Sequence, residues 1–558
     1  MRVEYAIEVA REEAERIVGR KTRFSKPPQP EHGDLASSIA FEKAREIKKT
    51  PGAIAEEIIA KAKPSAYFEK ISALNGFINF HFSDVFYEEV LKQALEESYG
   101  ASKKFAGKKY VVEFSQPNVG KPFHVGHIRG TILGDSVANI LQSQGWEVVR
   151  VNYLGDSGTQ VAKLILALDL FKDMPPATDE KKMLEYYVRI HKEIEAKSEL
   201  AEHARVLLEK IEGGDAEVIK KVWSIRKKSY EAFQRNYDLL GVRFDEVVGE
   251  SEFVAQAKKA VFEALEKKTA FKDKGGETVV KLEPELPNFV LLRSNGTTLY
   301  STRDLALADW KFEKFDFDES VVFTAGEQNL YFRQIIRTLE LLGRKYAKHY
   351  AHIGFGLISL EEGKLSTREG RVVFLEDVLN DVISYAKDEV IKRAHDYPKK
   401  EIDDIAHVVG IGAAKFAVLR ITPEKNIVFN LKRMVDFEGD TGAYVQYTAV
   451  RANSIVRKAG SSAIKIKNGE NFNPAERRVL RLLAEYPAVL QSSASSLSTH
   501  TLCNYLLELC ASFNAFYANT PVLEGGSEKE KRVAIVKATA QTLENGLALL
   551  GIKTPERM

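Results

Sequence analysis

The feature that most constrains the fold is a stretch near residue 110, where an apolar run, a loop broken by Gly and Pro, and a helical stripe follow one another. The run Tyr110–Phe114 predicts a buried strand. His124, Gly126 and His127 then fall at the first turn of a helix, where free N–H groups and the helix dipole favour phosphate binding. Gly126 would let a ligand approach the main chain, and imidazoles donate to phosphate oxygens. The helical stripe consists of Ile128, Ile132, Leu133 and Val137.

Strands and helices continue to alternate after this stretch, which predicts a parallel sheet and a Rossmann-like nucleotide-binding domain. A charged, mostly helical segment over about residues 175–270 interrupts the pattern and is predicted to be an insertion. The further strands are predicted at residues 148–154, 278–282, 289–292, 321–326 and 350–358.

A chain of 558 residues is too long for one core, so several domains are expected. The predicted fold class is multidomain α/β. Residues 1–105 form a small α+β domain with a helix starting at Leu35 and a hairpin around Asn75-Gly76. The other predicted domains are the Rossmann-like domain with its helical insertion (106–371), a helical linker (372–435) and an all-α C-terminal domain (436–558).

Composition excludes several classes of protein. Hydrophobic residues make up 44% of the chain and no apolar run approaches the roughly 20 residues of a membrane span, so no membrane is expected. The N-terminus lacks the order of a signal peptide, which predicts a cytoplasmic enzyme. Cys503 and Cys510 are seven residues apart on one helix face, as for two core thiols, and zinc is not expected. The formal charge of +2 leaves a nucleic-acid partner open.

A second focal point is the Gly- and charge-rich segment Glu361–Gly370, which follows the strand predicted at 350–358. Its Lys364-Leu-Ser-Thr-Arg is more than 200 residues from the histidine pair in sequence, yet both are loops of one predicted α/β core. Two cationic loops on such a core indicate nucleotidyl transfer, in which a protein mainly positions and neutralises phosphates.

These residues resemble a known family. His124-Val-Gly-His127 resembles the HIGH signature, and Lys364-Leu-Ser-Thr-Arg368 the KMSKS signature, of class I aminoacyl-tRNA synthetases. Residues 115–127, 299–304 and 437–447 resemble arginyl-tRNA synthetases, and the similarity runs over essentially the whole chain. The resemblance implies ATP-dependent activation of L-arginine to arginyl-adenylate with release of pyrophosphate, then transfer to the 3′ end of tRNA(Arg).

The same resemblance implies site residues. Those implied in catalysis are His124, His127, Lys121 and Lys364. Those implied in ATP binding are Pro117, Gly126, His124, His127, Lys364, Ser366 and Arg368. Those implied in arginine binding are Glu113, Asn118, Tyr300, Asp304 and Gln328. Mg²⁺ would accompany ATP, and no residues are assigned to a metal.

The arginine site leaves two alternatives open. A guanidinium needs planar acceptors, and spacing does not decide whether Asp304 or Glu113 supplies them. Taken alone, Asp304 would more ordinarily form a salt bridge with its neighbour Arg303.

Two positions depart from the family pattern. Thr367 stands where the second signature has lysine, so either Lys121 or Arg368 is expected to supply the missing charge. Ser157 stands where the family usually has tryptophan. Asp156 and Gln160, its near neighbours, are interpreted as structural.

The helical C-terminus resembles an anticodon-binding domain, and the N-terminal domain is implied to touch the tRNA elbow. A monomer is expected. Basic residues available for tRNA phosphates include Arg451, Arg457, Lys458, Arg477 and Arg478.

Three other functions compete with this interpretation. A small-substrate nucleotidylyltransferase would not need the helical C-terminal third, and a synthetase for a neutral amino acid would not need Asp304 and Glu113 together. An inactive tRNA-binding paralogue would have no reason to keep the polar residues of the pocket.

Overall fold

The N-terminal domain is an antiparallel sheet flanked by helices. The computed structural model describes residues 4–63, 65–361, 373–393, 396–460 and 466–558. The sheet has the order β1-β2-β4-β3. The predicted hairpin is confirmed, because Asn75 and Gly76 both adopt positive φ (51° and 84°) between β3 and β4. The elements are α1 (Ala6–Val18), β1 (Phe24–Ser25), β2 (Leu35–Ser37), α2 (Ile39–Ile47), α3 (Pro51–Ala60), β3 (Phe68–Leu74), β4 (Phe77–Phe82) and α4 (Asp84–Ala94).

The helix predicted from Leu35 is wrong at its start. Residues Leu35–Ser37 form β2, in which Leu35 pairs with Phe80 of β4, and the helix begins only at Ile39. The three residues are too few to show a strand pattern, and their conformation depends on a partner more than 40 positions away.

The central region contains the predicted parallel sheet. Its five strands have the order β12-β11-β5-β6-β7, and every neighbouring pair is parallel. A small antiparallel sheet, β10-β9-β8, packs beside it. In chain order the elements are β5 (Lys109–Glu113), α5 (Val125–Ser143), β6 (Glu147–Leu154), α6 (Thr159–Leu170), α7 (Glu180–Ala196), α8 (Ser198–Gly213), α9 (Ala216–Leu240), β7 (Glu246–Gly249), α10 (Val254–Glu266), β8 (Ala270–Lys272), β9 (Thr278–Val280), β10 (Phe289–Leu292), α11 (Tyr300–Phe315), β11 (Glu319–Ala325), α12 (Asn329–Leu341), β12 (Tyr350–Phe355) and β13 (Ile358–Leu360).

The insertion predicted over about 175–270 is shorter than expected. Helices α7, α8 and α9 form it, but β7 pairs with β6 as an edge strand of the main sheet. The chain therefore rejoins the sheet at Glu246. A four-residue edge strand between two long helices gives too little alternation to be recognised from sequence.

The C-terminal region is helical apart from the three-residue β14, which pairs with β13. Cys503 and Cys510 are both buried and unpaired on one helix, as predicted. Within the described ranges, no helix is both long and apolar enough to cross a bilayer. The elements are α13 (Leu375–Arg393), α14 (Lys399–Leu419), β14 (Ile427–Phe429), α15 (Leu431–Met434), α16 (Gly442–Ala459), α17 (Pro474–Ser496), α18 (His500–Asn519) and α19 (Lys529–Leu549).

Helix α5, which begins at the histidine pair, is covered by the C-terminal region. Helices α14, α17 and α19 pack against it. Ser136 Oγ donates to the carbonyl of Leu550 (3.1 Å), and Lys415 Nζ of α14 donates to the carbonyl of Gly551 (2.7 Å). The segment after α19 is thus held between α5 and α14.

The N-terminal domain is fastened to α17 through Arg477. Its guanidinium donates to both carboxylate oxygens of Glu69 (2.9 and 3.0 Å) and to Asp84 (2.8 Å). A bidentate pair of this kind is strong and directional. Arg477, one of the predicted tRNA-phosphate residues, therefore joins two parts of the chain.

Candidate active site

A cavity of about 990 Å³ lies at the carboxyl edge of the parallel sheet, where α/β proteins usually bind ligands. It brings together eight of the predicted site residues: Glu113, Asn118, His124, Gly126, His127, Tyr300, Asp304 and Gln328. Pro117 and Lys121 belong to the same loop as Asn118 and His124, but they are not among the described residues that line the cavity. Lys364, Ser366 and Arg368 lie outside the described residues, as does Thr367.

A strained turn after β5 starts the histidine loop. Ser115 and Gln116 both have positive φ (80° and 47°), which non-glycine residues rarely adopt. Ser115 Oγ lies 2.8 Å from Thr131 Oγ1 and 2.9 Å from Tyr237 OH, and Gln116 Nε2 donates to Glu113. These contacts stabilise the turn, as expected where backbone strain serves a site.

The histidine pair lies at the first turn of α5, as predicted, and the two side chains also cap the helix. His124 Nδ1 accepts from the N–H of Gly126 (3.1 Å), and His127 Nδ1 accepts from the N–H of His124 (3.1 Å). Because each Nδ1 is an acceptor, each neutral ring carries its proton on Nε2. Gly126 is also favoured at this position on steric grounds, because a Cβ there would lie 2.8 Å from the ring of His124.

Both rings are held neutral. Burial, and then the positive charge of Lys121, lowers the pKa of His124 to about 4. Burial also lowers the pKa of His127 well below its usual value, with the neighbouring His124 adding to the effect. The ring centroids are 4.0 Å apart, a separation at which two imidazolium ions would repel. The pair therefore offers two neutral N–H donors to an anion.

Lys121 lies close enough to lower the pKa of both histidines. Burial lowers its own pKa, and within the described residues its ammonium has no hydrogen-bond or ion-pair partner. A half-buried cation without a counter-ion suits a site that awaits an anionic ligand.

We expect Lys121→Ala to lower the rate of amino-acid activation about 10- to 100-fold while the KM for the amino acid stays within about twofold, because the cation would act on the transferring phosphate. Lys121→Arg keeps the charge and should retain most of the activity. ATP–pyrophosphate exchange with the amino acid concentration varied measures the rate and the KM for both variants. Normal activation by Lys121→Ala would make Arg368 the better substitute for the missing lysine.

The segment that contains the second signature leads back to the histidine loop. Its residues 362–372 lie outside the described ranges, but the residues that follow them pair with the loop. The N–H of Val125 donates to the carbonyl of Val373 (3.3 Å), and the N–H of Leu375 donates to the carbonyl of Phe123 (3.1 Å). Residues 373–375 therefore lie beside the histidine loop.

The cavity's carboxylates are not equivalent. Glu113 is only 3% exposed and its Oε2 accepts from Lys311 Nζ at 2.6 Å. Glu250 pairs with Arg303 (3.1 Å), and Glu212 with Arg293 (3.3 Å).

Asp304 is the one described acid of the cavity without a cationic partner. Its Oδ2 accepts from the hydroxyl of Tyr331 at 2.5 Å. The salt bridge to Arg303 that its sequence neighbourhood favours is not formed, because Arg303 pairs with Glu250 instead. The structure therefore favours Asp304 over Glu113 as the partner for a ligand cation.

The environment of Asp304 raises its pKa to about 7. Burial is the main cause, and the negative charges of Glu250 and Glu113 add to it, while the hydrogen bond from Tyr331 and the charge of Arg303 oppose it. When a cation binds beside a carboxyl group whose pKa is near neutral pH, the ionised fraction of that group increases strongly.

The other predicted arginine-site residues lie around the cavity mouth. Asn118 Oδ1 accepts from Gln160 Nε2 (2.8 Å), so Gln160 orients it, in keeping with a structural role. A Cβ at Gly155 would lie 2.5 Å from Asn118 Oδ1, so a larger residue there would displace this amide. Tyr300 is 56% exposed, with its ring 5.0 Å from that of Tyr331. Gln328 is also exposed, at the end of a short 3₁₀ turn.

Asp156, in the loop after β6, forms contacts that suit the structural role expected from the sequence. Both carboxylate oxygens of Asp156 accept from Ser251, one from the N–H and one from the hydroxyl, each at 2.8 Å. Ser157 lines the cavity, and its buried hydroxyl has no partner within the described residues.

Sequence reasoning missed four residues that shape the site. Leu208 and Glu212 of α8 line the cavity together with Arg293, so the insertion contributes to its wall. Lys311 neutralises Glu113 and also donates to Tyr350 OH (2.7 Å). Lys311 is seven residues after Asp304, two helical turns along α11, and a lysine on the buried face of a helix is the signal that was available.

The fold and this arrangement define a class I aminoacyl-tRNA synthetase. The chain matches the family model for the catalytic domain of class I tRNA synthetases (R) at residues 90–431. It also matches the arginyl tRNA synthetase N-terminal domain at 2–82 and the DALR anticodon binding domain at 445–558. Within the class, the chain belongs to the arginyl-tRNA synthetase family.

Individual relatives agree with the family models. The arginine–tRNA ligases of Clostridioides difficile and Halothermothrix orenii are 38% and 37% identical to it, over 95% of each chain. The Thermus thermophilus arginyl-tRNA synthetase structure superposes with a TM-score of 0.84 at 28% identity, covering 99% of both chains. The Plasmodium falciparum structure, at 22% identity, shares the fold with a TM-score of 0.82.

Proposed function

We propose that this enzyme activates L-arginine with ATP to form arginyl-adenylate and pyrophosphate, and then transfers arginine to the 3′ end of tRNA(Arg). The observation that supports this most is a cavity with two chemically distinct ends. One end holds Asp304, a carboxylate without a cationic partner, and the other holds the two neutral imidazoles of His124 and His127. These ends suit a guanidinium and a chain of phosphates.

The chemistry requires the protein to bind and orient two substrates. The arginine carboxylate attacks the α-phosphorus of ATP, the bond to the β-phosphate oxygen breaks, and pyrophosphate leaves. His124 and His127 donate from Nε2 to phosphate oxygens, and Lys121 adds positive charge beside them. Lys364 and Ser366, with Pro117, Gly126 and Arg368, complete the ATP site that the family resemblance implies.

Magnesium fits this scheme as a companion of the nucleotide. No cluster of three or more His, Cys, Asp or Glu side chains suited to a metal occurs among residues the structure describes. We propose that Mg²⁺ accompanies ATP, because phosphate oxygens are among its preferred ligands and the ion would neutralise their charge.

The decisive experiment is ATP–pyrophosphate exchange with each amino acid tested separately, with and without tRNA(Arg). Only arginine should support exchange, because a neutral side chain would leave Asp304 without a cation and the lysine ammonium cannot form a bidentate pair with a carboxylate. We expect tRNA(Arg) to be required, on the resemblance to the family. Exchange with lysine or glutamine, or none with arginine, would contradict the proposal.

We also propose that residues 436–558 bind the anticodon, 372–435 the stem and 1–105 the tRNA elbow. Lys458 and Arg478 are exposed and have no ion-pair partner within the described ranges, which makes them better phosphate ligands than Arg477. The enzyme would act as a cytoplasmic monomer. Phosphate contacts predict that tRNA affinity falls steeply with salt.

A further inference from the structure

The Tyr153 hydroxyl is one of several buried polar groups that line the cavity without a hydrogen-bond partner in the described part of the chain. Tyr153, on β6, is only 7% exposed, and within the described part of the chain its hydroxyl has no hydrogen-bond partner. Leaving a buried hydroxyl without a partner is destabilising, because the group has lost its hydrogen bonds to water. A group of this kind inside a ligand cavity indicates a missing partner.

The sheet places Tyr153 beside the predicted arginine site. In the register of β5 and β6, Glu113 lies opposite Val151, and Tyr153 is two residues further along. Alternate residues of a strand share a face, so Tyr153 lies on the face that carries Glu113. Both line the cavity with Asp304 of α11.

The charges around the Tyr153 hydroxyl are mainly negative. Burial raises the pKa of this hydroxyl well above its usual value, and the negative charges of Asp304, Glu250 and Glu113 raise it further. The positive charge of Arg303 acts in the opposite direction and lowers it. The phenol therefore stays protonated at neutral pH. The ring is fixed by an edge-on contact with Phe253, with 5.9 Å between centroids.

We infer that the Tyr153 hydroxyl contacts the guanidinium of bound arginine and is a specificity residue of this site. A guanidinium has five N–H donors, and a bidentate pair with Asp304 uses two of them. The phenol oxygen accepts one of the remaining N–H groups. The inference rests on the proposed arginine activation and assigns it a further residue.

The test is Tyr153→Phe, which removes only the hydroxyl. The KM for arginine should rise about tenfold, as for loss of one hydrogen bond to a charged group. The KM for ATP and kcat should stay within about twofold. Because the hydroxyl is unpaired without ligand, the melting temperature should not fall.

Tyr486→Phe is the matched control. Like Tyr153, Tyr486 is buried and its hydroxyl has no partner among the described residues, but it lies on α17 outside the cavity. It should change neither KM. An arginine KM within twofold of wild type in Tyr153→Phe, or an equal rise for arginine and ATP, would overturn the inference.

Agmatine, which keeps the guanidinium but lacks the carboxylate, locates the contact. Its inhibition constant should rise in Tyr153→Phe by the same factor as the KM for arginine. A raised arginine KM with unchanged agmatine inhibition would place Tyr153 at the other end of the substrate and overturn the inference. Wild-type enzyme inactive with arginine would instead contradict the proposed function.

Discussion

Asp304→Asn should raise the KM for arginine about 100-fold and leave the KM for ATP almost unchanged. The substitution keeps the shape of the side chain but removes the charge of the one described cavity acid without a cationic partner. A factor of 100 corresponds to about 3 kcal/mol, within the range for a charge-assisted pair. Exchange kinetics with each substrate varied in turn measure both constants.

Asp309→Asn is the matched control, since Asp309 lies on the same helix but pairs with Arg344 (2.7 Å) outside the cavity. It should not change the arginine KM. Equal effects of Asp304→Asn on arginine and ATP would refute the assigned role.

The same carboxyl group predicts how arginine binding depends on pH. The pKa of Asp304 is raised to about 7, and only its ionised form pairs with a guanidinium. Arginine affinity should therefore fall as the pH is lowered through 7, with release of a proton on binding near neutral pH. Asp304→Asn should abolish this dependence. Calorimetry in buffers of different ionisation enthalpy measures the released proton.

The raised pKa also has a consequence for stability. The folded state holds a proton on Asp304 up to about pH 7, whereas the unfolded chain loses it near the usual aspartate pKa of 3.8. The free energy of unfolding of the unliganded enzyme therefore decreases as pH rises between these values. At pH 8, Asp304→Asn should melt no lower than wild type, which separates a binding defect from misfolding.

The second large effect is expected at the histidine pair. His124→Asn or His127→Asn should lower the rate of activation about 100- to 1,000-fold with little change in the arginine KM, because each removes a donor aimed at the phosphates. The backbone hydrogen bonds assign the donor to Nε2. Glutamine places an amide nitrogen near the Nε2 position and asparagine does not.

The matching Gln variants should therefore retain more activity than the Asn variants. Equal losses with Asn and Gln would contradict the assignment of the donor. Since the pKa of His124 is about 4, its contribution to the rate should not vary between pH 6 and 8.

The sequence predicted the features that depend on local pattern. The strand Tyr110–Phe114, the hairpin at Asn75-Gly76 and the helix start at His124 each follow from neighbouring residues, and the structure confirms them. Strand β7 and the short strand at Leu35 could not be predicted, because distant partners determine them.

Which charged residues of the site pair with one another could not be predicted from the sequence either. The sequence alone does not distinguish the roles of the two acids Glu113 and Asp304. Only the fold shows that Lys311 neutralises Glu113. Their separate roles depend on which buried groups meet across the sheet and α11. The contribution of α8 to the cavity wall could not be predicted either, because it also depends on contacts that form only in the folded chain.

The burial of α5 limits how far this enzyme can be divided. Fourteen of its residues are buried, and α14, α17 and α19 supply part of that cover from the C-terminal third. A catalytic fragment without those helices would expose apolar surface on the helix that carries the histidines, so the fragment would not be an autonomous folding unit. The proposed sites of chemistry and of tRNA recognition would thus depend on one shared core, and we expect that neither could be exchanged alone.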